Sequence, residues 1–228
     1  SKLDQQSGNS IVGKWNREHI YCQSRGGYDT GTDYLTPSAD GINGYAPTTG
    51  ANDIGAGVSD AHHIRAVDGQ ENSSRNNKNY GTTATANIYN GPSGSTTNAW
   101  KGDVARACFY MAVRYSSLSV VNGAPTDGVI GQIGDLATLL SWNQIDPADD
   151  FEMNRNNYIY TWQHNRNPFI DYPLLVDYIW GSHAGEVWHA SLSSASLNSS
   201  AVKVFPVPAH DIVFVSGITG QTQATLYS

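Results

Sequence analysis

Glu18 and His19 stand side by side in the stretch WNREHIYCQSRG, residues 15 to 26, with Arg17 and Arg25 close by. An imidazole has an ordinary pKa of about 6.5, which makes it an effective general base at neutral pH. A carboxylate is a hard oxygen ligand of the kind that Mg²⁺ prefers. Because neighbours in a strand point to opposite faces, the two side chains can serve one site only where the strand ends, turns or bulges. The Gln-Ser-Arg-Gly-Gly run that follows is consistent with such an end, and an ordinary surface pair is the alternative.

A second polar cluster, DAHHIRAVDGQENSSRNNKNYG, spans residues 60 to 81. A helix over its second half would place Asn72, Arg75 and Asn76 on one face, at spacings of three and four. The amide oxygen of Asn72 could then complete a hard-cation site with Glu18, and the guanidinium of Arg75 could hold a phosphate. A solvated polar helix without a metal explains the same pattern.

The elements that must position these residues are mostly helices. Apolar residues at helical spacing, together with capping signals, predict four of them. They are expected at residues 100–115, at residues 136–142, from the Asp146-Pro147 start to about Gln163, and between Pro173 and Gly181. Tyr158, Tyr160 and Trp162 fall in the third helix and are interpreted as packing residues rather than as a platform for stacked bases.

The distribution of charge leaves room for a nucleic-acid surface. The chain of 228 residues has a net charge of −7, which opposes a polyanionic partner. Residues 1–116, however, hold ten Lys and Arg against ten Asp and Glu, whereas residues 117–228 hold three against ten. The half that contains Glu18 and His19 is therefore neutral overall. No apolar run approaches the roughly 20 residues of a membrane helix, so we expect no membrane span.

The two cysteines, Cys22 and Cys108, allow at most one disulfide bond. Two buried free thiols explain them equally well. Neither belongs to a CxxC pair, which argues against a thiolate zinc site.

Five blocks occur in order along the chain: Trp15-Asn-Arg-Glu-His with Gln-Ser four residues on, Asp60 to Arg75, GDVARACFYM, LLSWNQIDPADDFEMNRN and NRNPFID. Together they resemble the endonuclease I family of the His-Me finger (ββα-metal) nucleases, in its secreted bacterial type. The resemblance runs from Trp15 to about Trp180. It implies an α+β fold: a mixed helical domain around a ββα-metal (His-Me finger) core, with a short C-terminal β segment.

The resemblance also implies a role for each matched residue. His19 corresponds to the general base of the family. Glu18 and Asn72 correspond to the ligands of a single divalent cation, Mg²⁺, with Mn²⁺ or Ca²⁺ as alternatives in the same site. Arg75 and Arg106 fall at arginine positions that contact the nucleic-acid backbone, and they join His19 as catalytic residues.

Other matched positions are expected to support the site or to bind substrate. Asp60 and His63 match a motif on the strand that leads to the finger helix, and we expect them to be supporting residues. Substrate contact is assigned to four further arginines, of which the last two are better explained by structural support of the site: Arg17, Arg25, Arg155 and Arg166. The chain departs from the family at Cys22, where proline is usual. This departure implies either a different turn after His19 or a bond to Cys108.

The function implied is a sequence-nonspecific endonuclease that hydrolyses the phosphodiester bonds of DNA, with RNA as a further substrate. Its products would carry 5′-phosphate and 3′-hydroxyl ends. Two alternatives stay open. One is a nucleic-acid-binding or adhesion protein with reduced catalysis on the same fold, and the other is a phosphodiesterase for small phosphoesters.

The chain is expected to divide into four parts. A polar lead-in at residues 1–14 precedes a nuclease domain at 15–190, which carries a Gly-rich insertion at 28–59. A Ser-rich linker at 191–200 leads to a β-rich tail at 201–228, and this tail resembles the start of the type IX (Por) secretion sorting domain of Bacteroidetes. We therefore expect a monomer that is secreted or held at the cell surface, with the secretion machinery as a partner of the tail.

Overall fold

The computed structural model describes residues 4–27, 57–58, 60–92 and 97–189, and the backbone of residues 203–205 and 214–216. The chain forms two compact units, residues 1–187 and residues 188–228. Most of the predicted insertion at 28–59, and all of the predicted linker at 191–200, lie outside the described residues.

A small sheet at the start of the first unit carries the Glu18–His19 pair. Strands β1 (Asp4–Gln5), β2 (Lys14–His19) and β3 (Ile64–Asp68) lie in the order β1-β2-β3. β2 and β3 are antiparallel, and their register runs from Trp15 opposite Asp68 to His19 opposite Ile64. β2 therefore ends at His19 without a bulge, and the short helix α1 (Gln23–Gly26) follows the turn.

The helix α2 (Gly69–Arg75) begins directly after β3 and completes the strand-strand-helix order. Asp68 caps its first turn by accepting hydrogen bonds from Gln70 N at 2.8 Å and Glu71 N at 3.2 Å. The helix ends at Arg75, because Asn76 turns out of it with a φ of 49°. Asn72 and Arg75 are thus helical as predicted, whereas Asn76 is the C-cap residue and lies outside the helical face.

Longer helices surround a common core. Helix α3 (Lys101–Arg114) is buried over most of its length and packs against α4 (Leu136–Ile145). The remaining helices are α5 (Asp150–Gln163), α6 (Pro168–Asp171) and α7 (Leu175–Trp180). Three two-stranded sheets complete the described elements: β4 (Asn79–Tyr80) with β5 (Ile88–Tyr89), β6 (Ser119–Val120) with β7 (Gln132–Ile133), and β8 (Lys203–Phe205) with β9 (Phe214–Ser216). The α+β fold expected from the sequence is confirmed.

Two predictions about the third helix were wrong. It begins at Asp150 rather than directly after Asp146-Pro147, because Asp149 is the residue that caps it by accepting from Glu152 N at 2.9 Å. The aromatic side chains on it are also not packed in the core. Tyr158, Tyr160 and Trp162 are 64%, 48% and 46% exposed.

Cys22 and Cys108 are both buried and both free. The disulfide alternative is therefore wrong, and the two thiols belong to the interior. None of the helices in the described ranges is long and apolar enough to cross a membrane.

Candidate active site

A groove of about 850 Å³ lies between the end of β2 and the helix α2. Glu18 and His19 of β2 and Asn72 of α2 all line it, together with Arg17 and Arg75. The adjacent acid and imidazole therefore meet in one groove because the strand ends at His19. Most of the other lining residues carry amides or hydroxyls, so the groove is polar with few charges.

Glu18 is buried, with 5% of its surface exposed. Its Oε1 atom lies 3.1 Å from Arg75 Nη1, close enough for an ion pair, but the two atoms are not aligned for a hydrogen bond and Oε1 has no hydrogen-bond partner. Burial raises the pKa of Glu18 to about 7, and the charge of Arg75 offsets only part of that rise. A buried carboxylate oxygen without a hydrogen bond is an uncompensated acceptor.

Arg75 donates its hydrogen bonds to main-chain carbonyls near the end of β2 and at the end of α2. Nη1 donates to His19 O at 3.2 Å and to Asn76 O at 2.8 Å, and Nη2 donates to Ile20 O at 2.6 Å. The guanidinium also lies 4.8 Å above the ring of Tyr80. Arg75 therefore fixes the turn that follows His19, and its positive charge lies beside Glu18.

Asn72 presents an amide oxygen to the groove. Its Nδ2 atom donates to Asn16 Oδ1 at 2.7 Å and to Arg17 O at 3.2 Å. Because these bonds fix which end of the amide faces β2, Oδ1 is the atom left for a ligand.

The groove fits a partly hydrated divalent cation rather than a cation caged by protein. Its hard oxygen donors are the carboxylate of Glu18, with one oxygen lacking a hydrogen bond, and Oδ1 of Asn72. Among the described residues, no group of three or more His, Cys, Asp or Glu side chains could hold a metal. Mg²⁺ commonly binds through one or two protein oxygens and keeps several waters, so the donor set suits it.

His19 is oriented by a main-chain carbonyl. Its Nε2 atom lies 2.9 Å from the carbonyl oxygen of Val58. A carbonyl only accepts, so Nε2 carries the proton and Nδ1 carries the lone pair that can take one. Burial lowers the pKa of His19 below its ordinary value, against the opposite effect of the Val58 bond, so the ring is neutral near pH 7.

His63 is oriented in the same way, by the carbonyl of Gly57, the residue before Val58. Its Nε2 atom donates to Gly57 O at 2.6 Å, and its ring centroid lies 5.4 Å from that of His19. Burial, followed by the proximity of His19, lowers the pKa of His63 to about 3. His63 therefore stays neutral and packs beside the catalytic candidate.

Asp60 anchors the segment between these carbonyls and β3. It is fully buried and accepts from Tyr110 Oη at 2.8 Å, Tyr115 Oη at 3.0 Å and Gln163 Nε2 at 3.0 Å. Burial alone would raise the pKa of Asp60, but His62, His63 and the Gln163 bond together hold it below its ordinary value. This network fixes the chain that presents His63 and the Val58 carbonyl.

The structure does not bring Arg25 or Arg106 into the groove. Both are fully buried. Arg106 is paired with Glu152 and donates to Asn143 Oδ1 and Asp146 O. Arg25 donates hydrogen bonds to five oxygens: Asn77 O, Pro125 O, Thr126 O, Asn87 Oδ1 and Asp127 Oδ1. Their burial makes both arginines part of the fold, and the predicted contact with nucleic acid does not follow from their positions.

The other predicted arginines differ in exposure. Arg17 is exposed on the groove wall. Arg155 donates to Ala61 O and Ile64 O, and thereby ties α5 to the start of β3. Arg166 pairs with Asp171 at 2.6 Å. Of the four arginines assigned to substrate, Arg17 is thus the one that lines the groove.

Sequence reasoning missed the main-chain groups of Gly57 and Val58. Both residues belong to the end of the predicted insertion, and their carbonyls orient the two imidazoles. A main-chain acceptor has no residue-type signature, so no motif could have indicated it.

Comparisons with known proteins match this part of the chain. The model of one protein family, described as Endonuclease I, matches residues 2–174. The chain is 38% identical over 192 residues to an extracellular ribonuclease of Bacillus amyloliquefaciens, covering 79% of this chain and 58% of that protein. It is also 38% identical over 181 residues to an extracellular ribonuclease of Bacillus subtilis (strain 168), covering 74% and 55%. The chain thus spans less than two thirds of the length of these curated relatives.

Proposed function

The chain belongs to the endonuclease I family, and from that premise we propose that it is a secreted, metal-dependent endonuclease that hydrolyses phosphodiester bonds without sequence specificity. The observation that carries the proposal is the hydrogen bond between His19 Nε2 and Val58 O. It sets the imidazole as a base on the wall of a groove that Glu18 and Asn72 also line.

The proposed reaction begins with proton transfer to His19. Nδ1 takes a proton from a water molecule as that water attacks the phosphorus, and the Val58 carbonyl stabilises the imidazolium that forms. The bond between phosphorus and the 3′-oxygen breaks, and the departing oxygen takes a proton from solvent, which leaves a 5′-phosphate and a 3′-hydroxyl; His19 returns its proton to solvent. His63 keeps the ring of His19 from tilting, and Arg75 fixes the turn that sets its height.

Glu18 and Asn72 are the residues that would hold the cation. Once bound there, Mg²⁺ or a similar divalent ion would polarise a phosphate oxygen and stabilise charge on the departing 3′-oxygen. Glu18 is suited to this role because it lines the same groove as Asn72. Arg17, exposed on the groove wall, would contact the phosphate backbone.

Both DNA and RNA are proposed as substrates. The relatives are named ribonucleases, and the groove, lined by Arg17, has room for a phosphate backbone of either nucleic acid, a contact that does not depend on the sugar or the base. Contacts of that kind carry no direct sequence information, so cleavage should be sequence-nonspecific and should weaken as salt rises.

Secretion and domain organisation belong to the same proposal. The relatives are named extracellular proteins, which supports a secreted or cell-surface location. We assign the nuclease domain to residues 15–190, after a lead-in at 1–14, and a role in type IX export to the tail at 201–228. The short β8–β9 hairpin in that tail is compatible with this role and with a simple appended hairpin.

The proposal is tested with His19→Ala. Incubation of wild type and variant with plasmid DNA, RNA and a small diester, each with Mg²⁺ and with EDTA, separates the candidate functions. We expect wild type to digest both polynucleotides only with metal, and His19→Ala to lose roughly 10²- to 10⁴-fold in rate while keeping its metal affinity. Equal rates for the two proteins would refute the assignment of the base. Hydrolysis of the small diester alone would favour a phosphodiesterase, and binding without digestion would favour an adhesion protein.

A further inference from the structure

The exposed side of α5 carries a line of aromatic side chains. Phe151, Tyr158 and Trp162 are 64%, 64% and 46% exposed. Their spacings of seven and four, with Arg155 between the first two, place them along one narrow strip of the helix. We call Phe151, Tyr158 and Trp162 the aromatic row. Exposed aromatic side chains gathered in one strip, rather than scattered singly, mark a binding surface more often than chance exposure does.

The aromatic row lies on the flank of α5 that faces the hairpin of the active site. Arg155, which lies within the strip, donates to Ala61 O at 2.6 Å and to Ile64 O at 2.8 Å. Ile64 is the residue of β3 that pairs with His19. The strip therefore runs past the end of the hairpin where the catalytic candidate is located.

An apolar cavity of about 270 Å³ is lined by Phe151, at one end of the aromatic row, and by Glu18 and Arg75. Tyr89 and Trp100 also line it. One end of the aromatic row therefore shares a cavity with Glu18.

The aromatic rings of the row favour a ligand that can stack on them. Its three side chains are flat rings rather than aliphatic groups, and the centroids of Tyr158 and Trp162 are 6.2 Å apart. Nucleobases stack on such rings regardless of sequence, with a gain of about 1–3 kcal/mol per base. In a duplex the faces of the bases are already covered by their neighbours, so only unpaired bases can stack on a protein ring.

We propose that the aromatic row is a stacking platform for the unpaired bases of a single-stranded nucleic acid whose phosphate lies in the groove at His19. The proposal rests on the proposed function, since it assigns a substrate class to the same site. Asp149 and Asp150 begin α5 near Phe151 and place negative charge at that end of the row. The polyanionic backbone is therefore expected nearer Tyr158 and Trp162, and these two rings supply most of the stacking.

The test measures binding without turnover. Fluorescence anisotropy of a labelled short single-stranded oligonucleotide is recorded with His19→Ala protein, and then with the same protein carrying Tyr158→Ala and Trp162→Ala. Tyr160→Ala is the matched control, because Tyr160 is 48% exposed on the same helix but points away from the strip. We expect the double variant to bind single strands at least about tenfold more weakly, and the control to bind normally.

Two further readouts distinguish stacking from charge and from folding. Removing rings leaves the phosphate contacts intact, so the salt dependence of binding should keep its slope while the affinity falls. Binding of duplex DNA should change by less than about twofold, since its bases cannot reach the rings. A variant with Tyr158 intact and Trp162→Phe in place of Trp162→Ala should keep most of the wild-type affinity for single strands. A loss of affinity caused by misfolding would not depend on whether the new side chain is aromatic.

Several results would overturn the proposal. Binding of single strands by the double variant as tight as by Tyr160→Ala would refute it, and so would an equal loss for duplex. A wild-type dimer that becomes monomeric in the double variant, measured by light scattering, would assign the row to a second copy of the chain instead. If wild type digests polynucleotides but the row variants bind normally, the nuclease stands and the platform falls. If the aromatic rings are needed for binding but wild type digests no polynucleotide, the platform stands and the nuclease assignment falls.

Discussion

Two buried arginine–carboxylate pairs in this protein have the same residue types and nearly the same burial. Glu18 and Arg75 are 5% and 3% exposed, and Glu152 and Arg106 are 1% and 0% exposed. In the core pair, Arg106 donates from Nε to Glu152 Oε1 at 3.0 Å and from Nη2 to Glu152 Oε2, so both carboxylate oxygens are bonded. In the groove pair a single ion contact is present, and Glu18 Oε1 has no hydrogen bond.

The difference between the pairs separates a structural role from a functional one. In the bidentate Glu152–Arg106 pair both carboxylate oxygens are hydrogen-bonded, so the pair stabilises the interior. The Glu18–Arg75 pair leaves a carboxylate oxygen uncompensated, at a cost of about 1–3 kcal/mol in folding free energy. That cost is retained where a ligand can offset it, which is what a metal-binding carboxylate requires.

The largest expected effect is on the core pair. Glu152→Gln removes the bidentate anion of the buried Arg106 guanidinium and leaves it the more distant Asp103 Oδ1 at 3.8 Å, so we expect a loss of about 3 kcal/mol in the free energy of unfolding. Urea unfolding followed by circular dichroism measures it. The activity of each folded molecule should stay at the wild-type level. A loss below about 1 kcal/mol would show that the two pairs do not differ in structural role.

The matched change in the groove pair should act on activity. Glu18→Gln removes the charge of the expected metal ligand, and we expect kcat/KM at fixed Mg²⁺ to fall about 100-fold or more. The concentration of Mg²⁺ that gives half-maximal rate should rise in the same assay. Near-wild-type kinetics in this variant would sink the assignment of Glu18 as a ligand.

Bound metal should stabilise the folded protein through the groove pair and not through the core pair. Saturating Mg²⁺ at about 100 times its Kd should raise the free energy of unfolding of wild type by about 2.7 kcal/mol. Thermal unfolding with Mg²⁺ and after EDTA provides the comparison. Glu152→Gln should keep this stabilisation and Glu18→Gln should lose it. A shift that survives in Glu18→Gln would place the cation elsewhere.

Acidity should also distinguish the pairs. The pKa of Glu18 is raised from 4.5 to about 7, so between these values the folded chain binds more protons than the unfolded chain does. The free energy of unfolding should therefore fall as pH rises from about 4.5 to about 7, by at most roughly 3 kcal/mol, and Glu18→Gln should remove that fall. At low Mg²⁺, activity should rise with a midpoint near pH 7, and more Mg²⁺ should move the midpoint lower because cation and proton compete for one carboxylate. A midpoint that ignores Mg²⁺ would count against this competition.

The smallest effect is expected at Cys22, in the turn that Arg75 holds. Cys22 has a φ of −64° and a ψ of 148°, which match the conformation of proline. Its main-chain N–H makes no hydrogen bond with the residues that the structure describes. Cys22→Pro should therefore raise the free energy of unfolding by about 0.4–1 kcal/mol with unchanged activity, as urea unfolding would show. A destabilised variant would mean that the turn differs from the one the family usually builds with proline.

The helices could be predicted where local signals agreed. Apolar spacing located α3 and α4 to within a few residues of Lys101–Arg114 and Leu136–Ile145. The predicted start of α5 was wrong because Asp146 does not cap that helix. It is the C-cap of α4, and its side chain accepts from Gly102 N at 2.8 Å. A capping residue read from sequence does not reveal which of two helix ends it serves.

The site could be predicted in part. The adjacency of Glu18 and His19 and the position of Asn72 follow from residue types and from the family resemblance, and the structure places all three in one groove. Arg75 and Arg106 could not be separated from sequence. The partner that neutralises Arg106, Glu152, lies 46 residues further along the chain, and only the fold brings it close.

The carbonyl of Val58 has a consequence for how this site can change in evolution. Every amino acid carries a main-chain carbonyl, so no point mutation at position 58 can delete the acceptor that orients His19. An insertion or deletion between position 58 and β3 would instead shift which carbonyl faces the ring. The orientation of His19 is thus robust to substitution at this position but sensitive to changes in chain length, and variation in the length of the segment is expected to stop before Gly57.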